Sequence, residues 1–130
     1  RQHVLFGLDN RTGLSAWLSG RGSREAVQRI PGLANLSVLV SGVLPPNPLE
    51  LLSRPEFPLL LKDLCLDSDV VLIDTPAASG CSDAQAVAVR ARAAVIVARK
   101  NTARIRSVRN LSDAVGQAGA TVVGSVLNDF

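Results

Sequence analysis

Asp69-Val-Val-Leu-Ile-Asp-Thr-Pro76 sets the tightest limit on how this chain folds, because it puts a carboxylate at the end of an apolar, mostly β-branched run. A strand buried on both faces reads this way. Val70 to Ile73 therefore predict a parallel strand covered by helices on each side, with Asp74 emerging at its carboxyl end. Open α/β sheets bind their ligands at that edge. A hard carboxylate there suits Mg²⁺, held directly or through water, since Mg²⁺ keeps several waters while bridging substrate phosphates. Asp-Thr-Pro is also ordinary turn chemistry, so a strand that ends in a plain turn is the competing reading.

The rest of the composition agrees with an aliphatic α/β core. The 130 residues are 47% hydrophobic and 19% charged, which suits one soluble domain or part of one. With three Phe, one Trp and no Tyr, the core must be built from Val, Leu, Ile and Ala. No apolar run approaches the ~20 residues of a membrane span. The opening Arg1-Gln-His-Val-Leu-Phe-Gly7 lacks a signal-peptide layout, and we expect an intracellular protein. It is apolar from Val4 with no methionine, so we also expect Arg1 to continue a longer polypeptide. Cys65 and Cys81 match no metal spacing and read as reduced thiols, and the lone His3 reads as packing or surface.

Periodicity and capping residues order the elements. Thr12 is placed to cap a short helix, Gly13 to Leu18, that Gly20 stops; Trp17 is its packing anchor. Gly20 to Arg29 fits a helical turn or a loop, and Pro31-Gly32 ends it. Leu36 to Ser41 predicts a second strand. A proline-rich loop then starts a helix with Asn47 as cap, Pro48 first and Glu50 placed to close a capping box. Ser53, Pro55 and Glu56 repeat the device for a helix whose apolar side is Leu59, Leu60, Leu61, Leu64 and Leu66. Ser82-Asp-Ala-Gln85 is a further capping box, with Asp83 in the first turn where a carboxylate suits the helix dipole. Ala93 to Ala98 predicts another buried strand. Thr102 is placed to cap a helix carrying Ile105, Val108, Leu111 and Val115 until Gly119. Thr121 to Leu127 is the last strand and delivers Asn128 to the same edge as Asp74. This order predicts right-handed crossovers and an open parallel sheet with helices on both faces.

Charge is uneven. Of the 14 Lys and Arg residues, Arg90, Arg92, Arg99, Lys100, Arg104, Arg106 and Arg109 share one span that contains no acid. Such a patch suits a phosphate, an acidic partner, nucleic acid or an anionic membrane, or is simply a solvated helix face. No aromatic residue interleaves with it, which disfavours stacking on single-stranded nucleic acid.

Several of these pieces together resemble one family. They are Phe6-Gly-Leu-Asp-Asn-Arg-Thr-Gly-Leu-Ser15, Pro31-Gly-Leu-Ala-Asn-Leu-Ser-Val-Leu39, Leu44-Pro-Pro-Asn-Pro-Leu-Glu-Leu-Leu52, the Asp-Thr-Pro strand, Ser82-Asp-Ala84 and Val123-Gly-Ser-Val-Leu-Asn128. In collinear order they are similar to the carboxyl-terminal two-thirds of the cytoplasmic domain of the bacterial protein-tyrosine kinases of capsule and exopolysaccharide synthesis, whose fold is like that of the MinD and ParA ATPases. The resemblance implies one partial domain over residues 1–130, an incomplete P-loop fold lacking its phosphate-loop strand. It implies that Asp74 is the Walker B carboxylate holding Mg²⁺ against ATP, that Thr75 and Pro76 shape the sensing loop, that Asp83 orders it, and that Asn128 contacts the base. It further implies a membrane-bound polysaccharide chain-length regulator as activating partner, a homo-oligomer, and a place at the inner face of the cell membrane. Pro45 to Leu52 is carried over as structure and subunit contact.

The departures are chemical. Gly-x-x-x-x-Gly-Lys followed by Ser or Thr occurs nowhere in the chain, nor does the family's second acidic motif or its tyrosine-rich tail. Phosphoryl transfer is catalysed by positioning and charge neutralisation, so one carboxylate without the phosphate loop is expected not to turn over ATP. Ala77 replaces the family's second proline, and Arg92 stands where an acid is common. A fragment folded to the family plan would also expose aliphatic faces and strand edges, so poor stability alone is expected. The other readings are a ParA- or MinD-type ATPase that binds DNA or membrane, and an inactive module that docks on a complete kinase.

Overall fold

The structure, a computed structural model, describes residues 2–78 and 83–129. Contacts divide the chain into Arg1–Phe57 and Pro58–Phe130.

In the first unit, α1 (Gln2–Phe6) precedes α2 (Leu14–Leu18). The cap of α2 is Gly13 and not Thr12, and it uses no side chain. The cause is space: a Cβ at position 13 would lie 2.3 Å from the carbonyl oxygen of Val40. That approach lets the amides of Leu14 and Ser15 donate to the carbonyls of Val40 and Ser41 at 2.8 and 3.0 Å, satisfying helix N-terminal donors that a side-chain cap would otherwise serve. Asn10 pins the same joint, donating from Nδ2 to the Gly42 carbonyl at 3.3 Å and accepting the Gly42 amide on Oδ1 at 3.0 Å.

A 3₁₀ turn, Arg24–Ala26, leads into β1 (Val27–Arg29), which pairs antiparallel with β2 (Ser37–Leu39). The expected parallel strand over Leu36 to Ser41 is thus shorter and belongs to a hairpin. Gly32 at φ +81° and the turn bonds from Leu33 to Ile30 and from Leu36 to Leu33 reverse the chain within a few residues. Only antiparallel strands accept so short a link.

In α3 (Pro48–Ser53), Asn47 is the cap and Pro48 is first, as expected. The capping box does not close: the Asn47 side chain makes no cap bond, and the Glu50 carboxylate pairs instead with Arg54 at 3.1 Å. Ser53 likewise bonds back along its own helix, its hydroxyl donating to the Leu49 carbonyl at 2.8 Å rather than capping the next helix. Leu18, Ala26, Ile30, Val40, Leu51 and Phe57 are the buried apolar residues of this unit.

Helix α4 (Glu56–Asp67) carries the chain into the second unit. Pro58 falls in its first turn, where a missing N–H costs nothing. Leu60 is buried and Leu61 and Leu64 half-buried, whereas Leu59 and Leu66 are 62% and 75% exposed. The helical repeat puts those two on the outer face, which corrects the five-leucine stripe.

Beyond it, α5 (Asp83–Ala91), β3 (Ala93–Arg99), α6 (Ile105–Gln117) and β4 (Thr121–Asn128) follow in order. β3 and β4 pair parallel, Ala93 opposite Thr121 through Arg99 opposite Asn128, with an irregularity between Ala94 and Val95. α6 begins two residues later than the expected Thr102 cap allows; its cap is Arg104. The Arg99 carbonyl takes the amides of Thr102 and Ala103 at 3.3 and 2.9 Å, and Asn101 sits at φ +59°, so a turn uses up those residues. The far end matches expectation: Gly119 at φ +91° lets its amide reach the Gly116 carbonyl at 3.0 Å and that of Ala120 reach Val115 at 3.1 Å, the Schellman arrangement.

Two expectations are corrected by burial. β3 alternates: Ala94, Ile96 and Ala98 are covered or partly covered, while Val95, Val97 and Arg99 are exposed. The core cluster joins Ala88 of α5, Val115 of α6 and Ala120 to Ala94, Leu111 and Val122. Both helices therefore lie on one face, and among the described residues the face bearing Val97, 66% exposed, is bare. The second correction concerns Val70 to Ile73, which form no strand. A strand exists by pairing, and the described ladders join only β1 to β2 and β3 to β4. The fold is α/β with a parallel strand pair, its sheet narrower and more open than the apolar runs predict.

Candidate functional site

The run containing Asp74 keeps a strand's two-sidedness without a strand's ladder. Val71, Ile73 and Thr75 are half-buried, and Leu72, Asp74 and Pro76 are exposed. The period of two means an extended backbone with one side against the protein. Asp74 is thus on the solvent side, beside Leu72 at 89% exposed. Asp74 is exposed at the end of this extended run, but the expected strand and its covered flanks are not there to place it at a sheet edge.

Asp83 is the first residue of α5 and half-buried. There its charge meets the positive end of the helix dipole. The Ser82 to Gln85 capping box, and Cys81 with it, involve residues 79–82 and so lie outside the described residues. Asn128 ends β4, opposite Arg99 in the ladder, and its carbonyl accepts the Lys100 amide at 2.8 Å. Asp74, Thr75 and Pro76 share one stretch, Asp83 opens α5, and Asn128 closes β4; all belong to the unit Pro58–Phe130.

One feature of this edge was illegible in the sequence. Lys100 Nζ and Asp129 Oδ2 form an ion pair at 2.7 Å across the ends of β3 and β4. It follows from register: Arg99 opposite Asn128 puts the next residues of the two strands side by side. Without the register, a Lys and an Asp this far apart give no signal. Among the described residues no group of three or more His, Cys, Asp and Glu could hold a metal ion.

The parallel unit β3–α6–β4 marks an α/β domain, and the exposed acid that ends the extended run Val70 to Ile73 is its candidate site. No family model matches the chain. Its curated relatives include the tyrosine-protein kinase ptk of Acinetobacter johnsonii, 34% identical over 128 residues, which are 98% of this chain and 18% of that protein. The putative tyrosine-protein kinase CapB of Staphylococcus aureus is 32% identical over 127 residues, or 98% of this chain and 56% of that one. Among solved structures, the chimerical protein CapA2B2 matches with a TM-score of 0.91 at 31% identity, over 99% of this chain and 57% of that one. The kinase domain of the Escherichia coli tyrosine kinase ETK gives 0.90 at 33%, over 98% of this chain and 50% of that one. By sequence and by fold the chain is similar to bacterial tyrosine kinases and matches part of their length. It spans little more than half the length of the CapB and CapA2B2 chains it matches.

Proposed function

We propose that this chain is the carboxyl-terminal part of the kinase domain of an ATP-dependent protein-tyrosine autokinase that regulates exopolysaccharide chain length and export. The observation that supports it most is the placement of Asp74: a solvent-reachable carboxylate closing an apolar extended run, in a chain matched over nearly its whole length by tyrosine kinases.

In this reading Asp74 holds Mg²⁺, most of whose ligands come from water and the phosphates of ATP, as is usual for this ion. Bound there, the metal supplies charge neutralisation at the transferred phosphoryl group. Thr75 and Pro76 fix the turn that presents the carboxylate, Asp83 anchors the start of α5 behind it, and Asn128 offers an amide to the base. The residues present fit the metal but not the whole nucleotide, since the chain has no phosphate-loop lysine or hydroxyl motif. The chain alone is therefore inactive, and the tyrosines it serves are elsewhere, because it has none. Its setting is the inner face of the cell membrane, in a homo-oligomer with a membrane-bound chain-length regulator. Among the described residues no helix is long and apolar enough to cross a membrane.

Titration calorimetry with ATP and Mg²⁺ tests this. The chain alone is expected to bind ATP no tighter than about 1 mM (about −4 kcal/mol), and the complete kinase in the micromolar range. Asp74→Asn should weaken the Mg²⁺-dependent part of the binding to the complete kinase. Mg²⁺-dependent binding unchanged by Asp74→Asn would remove the role assigned to that residue.

A further inference from the structure

The covered face of the β3–β4 pair is closed at one end only. Leu111 and Val115 of α6 pack on the core cluster, but toward its amino end a trench of about 560 Å³ opens between helix and sheet. Val108, Val122 and Ser125 line it, with Leu127 and Ile105 on its walls and Arg99 and Arg109 among its lining. Ile105 is 82% and Leu127 67% exposed, so the trench is apolar but shallow. A small ligand usually buries 70–90% of its surface, which walls this open do not provide.

We propose that the trench docks an acidic amphipathic helix of a partner protein. Three observations choose this occupant. The trench lies on a sheet face and not on a strand edge, so side chains and not backbone hydrogen bonds must do the recognising, which is the helix-in-groove mode. Its charge is one-sided: Lys100 and Arg109 line it against one acid, Asp113, and Arg99 borders it at the end of β3. Lys100 is already held by Asp129 at 2.7 Å, while among the described residues Arg99 and Arg109 have no ion-pair partner. Arg104 and Arg106 add to the positive charge at the amino end of α6. Finally, the site is concave, and a flat anionic bilayer would meet Ile105 without reaching Val108 or Val122. Leucines spaced one turn apart would enter the trench while flanking glutamates meet the two arginines.

The test is fluorescence anisotropy with the full chain and a labelled helical peptide of Leu, Glu and Ala, with leucines at every third or fourth position. Its controls are the same peptide with Lys for Glu and vesicles containing phosphatidylglycerol. The acidic peptide is expected to bind at least about tenfold tighter than the basic one and to weaken as salt rises. The double variant Arg99→Gln/Arg109→Gln, whose exposed side chains are not part of the core, should weaken it about tenfold. Ser125→Leu fills the trench from the sheet and should block binding, with circular dichroism checking that the fold persists. Equal binding of the two peptides, no effect of either variant in folded protein, or binding to the vesicles without binding to the acidic peptide would each overturn the proposal.

Discussion

At the scale of single residues, space and charge make separable claims. Gly13 is fixed by the backbone of the hairpin beside it: any Cβ there would press on the Val40 carbonyl and the Gly42 amide at 2.3 and 2.6 Å. Gly13→Ala should therefore cost about 1–3 kcal/mol, the range for overpacking, while Thr12→Ala, at an exposed position with no cap bond, should stay within about 0.5 kcal/mol. Urea unfolding of the two variants checks the contrast. Asp9 makes a claim about pH. The Arg11 guanidinium beside it holds its carboxyl below the ordinary value of 3.8, through bonds of 2.8 and 3.2 Å from Nε. A lowered folded-state value means the pair's contribution is present above the unfolded-state value and fades as pH falls through the folded one. Carbon-detected NMR titration should place Asp9 below 3.8, and Arg11→Ala should return it upward; an unchanged midpoint in that variant would refute the pairing.

At the scale of elements, the contrast between starts and ends explains what the sequence made legible. The ends of α2 and α6 were readable because Gly20 and Gly119 adopt φ of +70° and +91°, a local demand that composition betrays. The starts were not: Gly13 caps through a distant carbonyl, Arg104 through the turn before it, and Glu50 prefers Arg54 to its own helix cap. Those choices belong to tertiary structure and to ion pairs, which no single-sequence pattern reports. Gly119→Ala accordingly should cost about 1–2 kcal/mol, the penalty for a side chain in the left-handed region, read as a drop in melting temperature. Thr102→Ala should leave α6 unchanged. Apolar runs misled in one direction only. Val70 to Ile73 and Ala93 to Ala98 promised burial on both sides, and each has one exposed side, because a run of valines records what a segment is suited to pair with and not what is beside it.

At the scale of the whole molecule, the exposed side of β3, the extended run before Asp74 and the coverage of the relatives have one explanation. The chain matches only part of a kinase domain, and we propose that the rest of that domain covers these surfaces in the complete protein. Hydrogen exchange tests this: in the chain alone the amides of Val70 to Ile73 should exchange within the fastest time points, while those of β3 and β4 are slowed, and in the complete kinase Val70 to Ile73 should join the slow class. Fast exchange of that run in both would mean that it is never a strand. Whether the carboxylate ending that run serves phosphoryl transfer decides the function proposed for Asp74. Phosphotyrosine formation by the complete kinase, measured with Asp74→Asn and with Asp113→Asn as a control, answers that most directly. Asp74→Asn should lose at least about 100-fold with an unchanged melting temperature, and the control should keep near-normal rates; autophosphorylation at the unsubstituted rate in the folded Asp74→Asn protein would refute the role of Asp74.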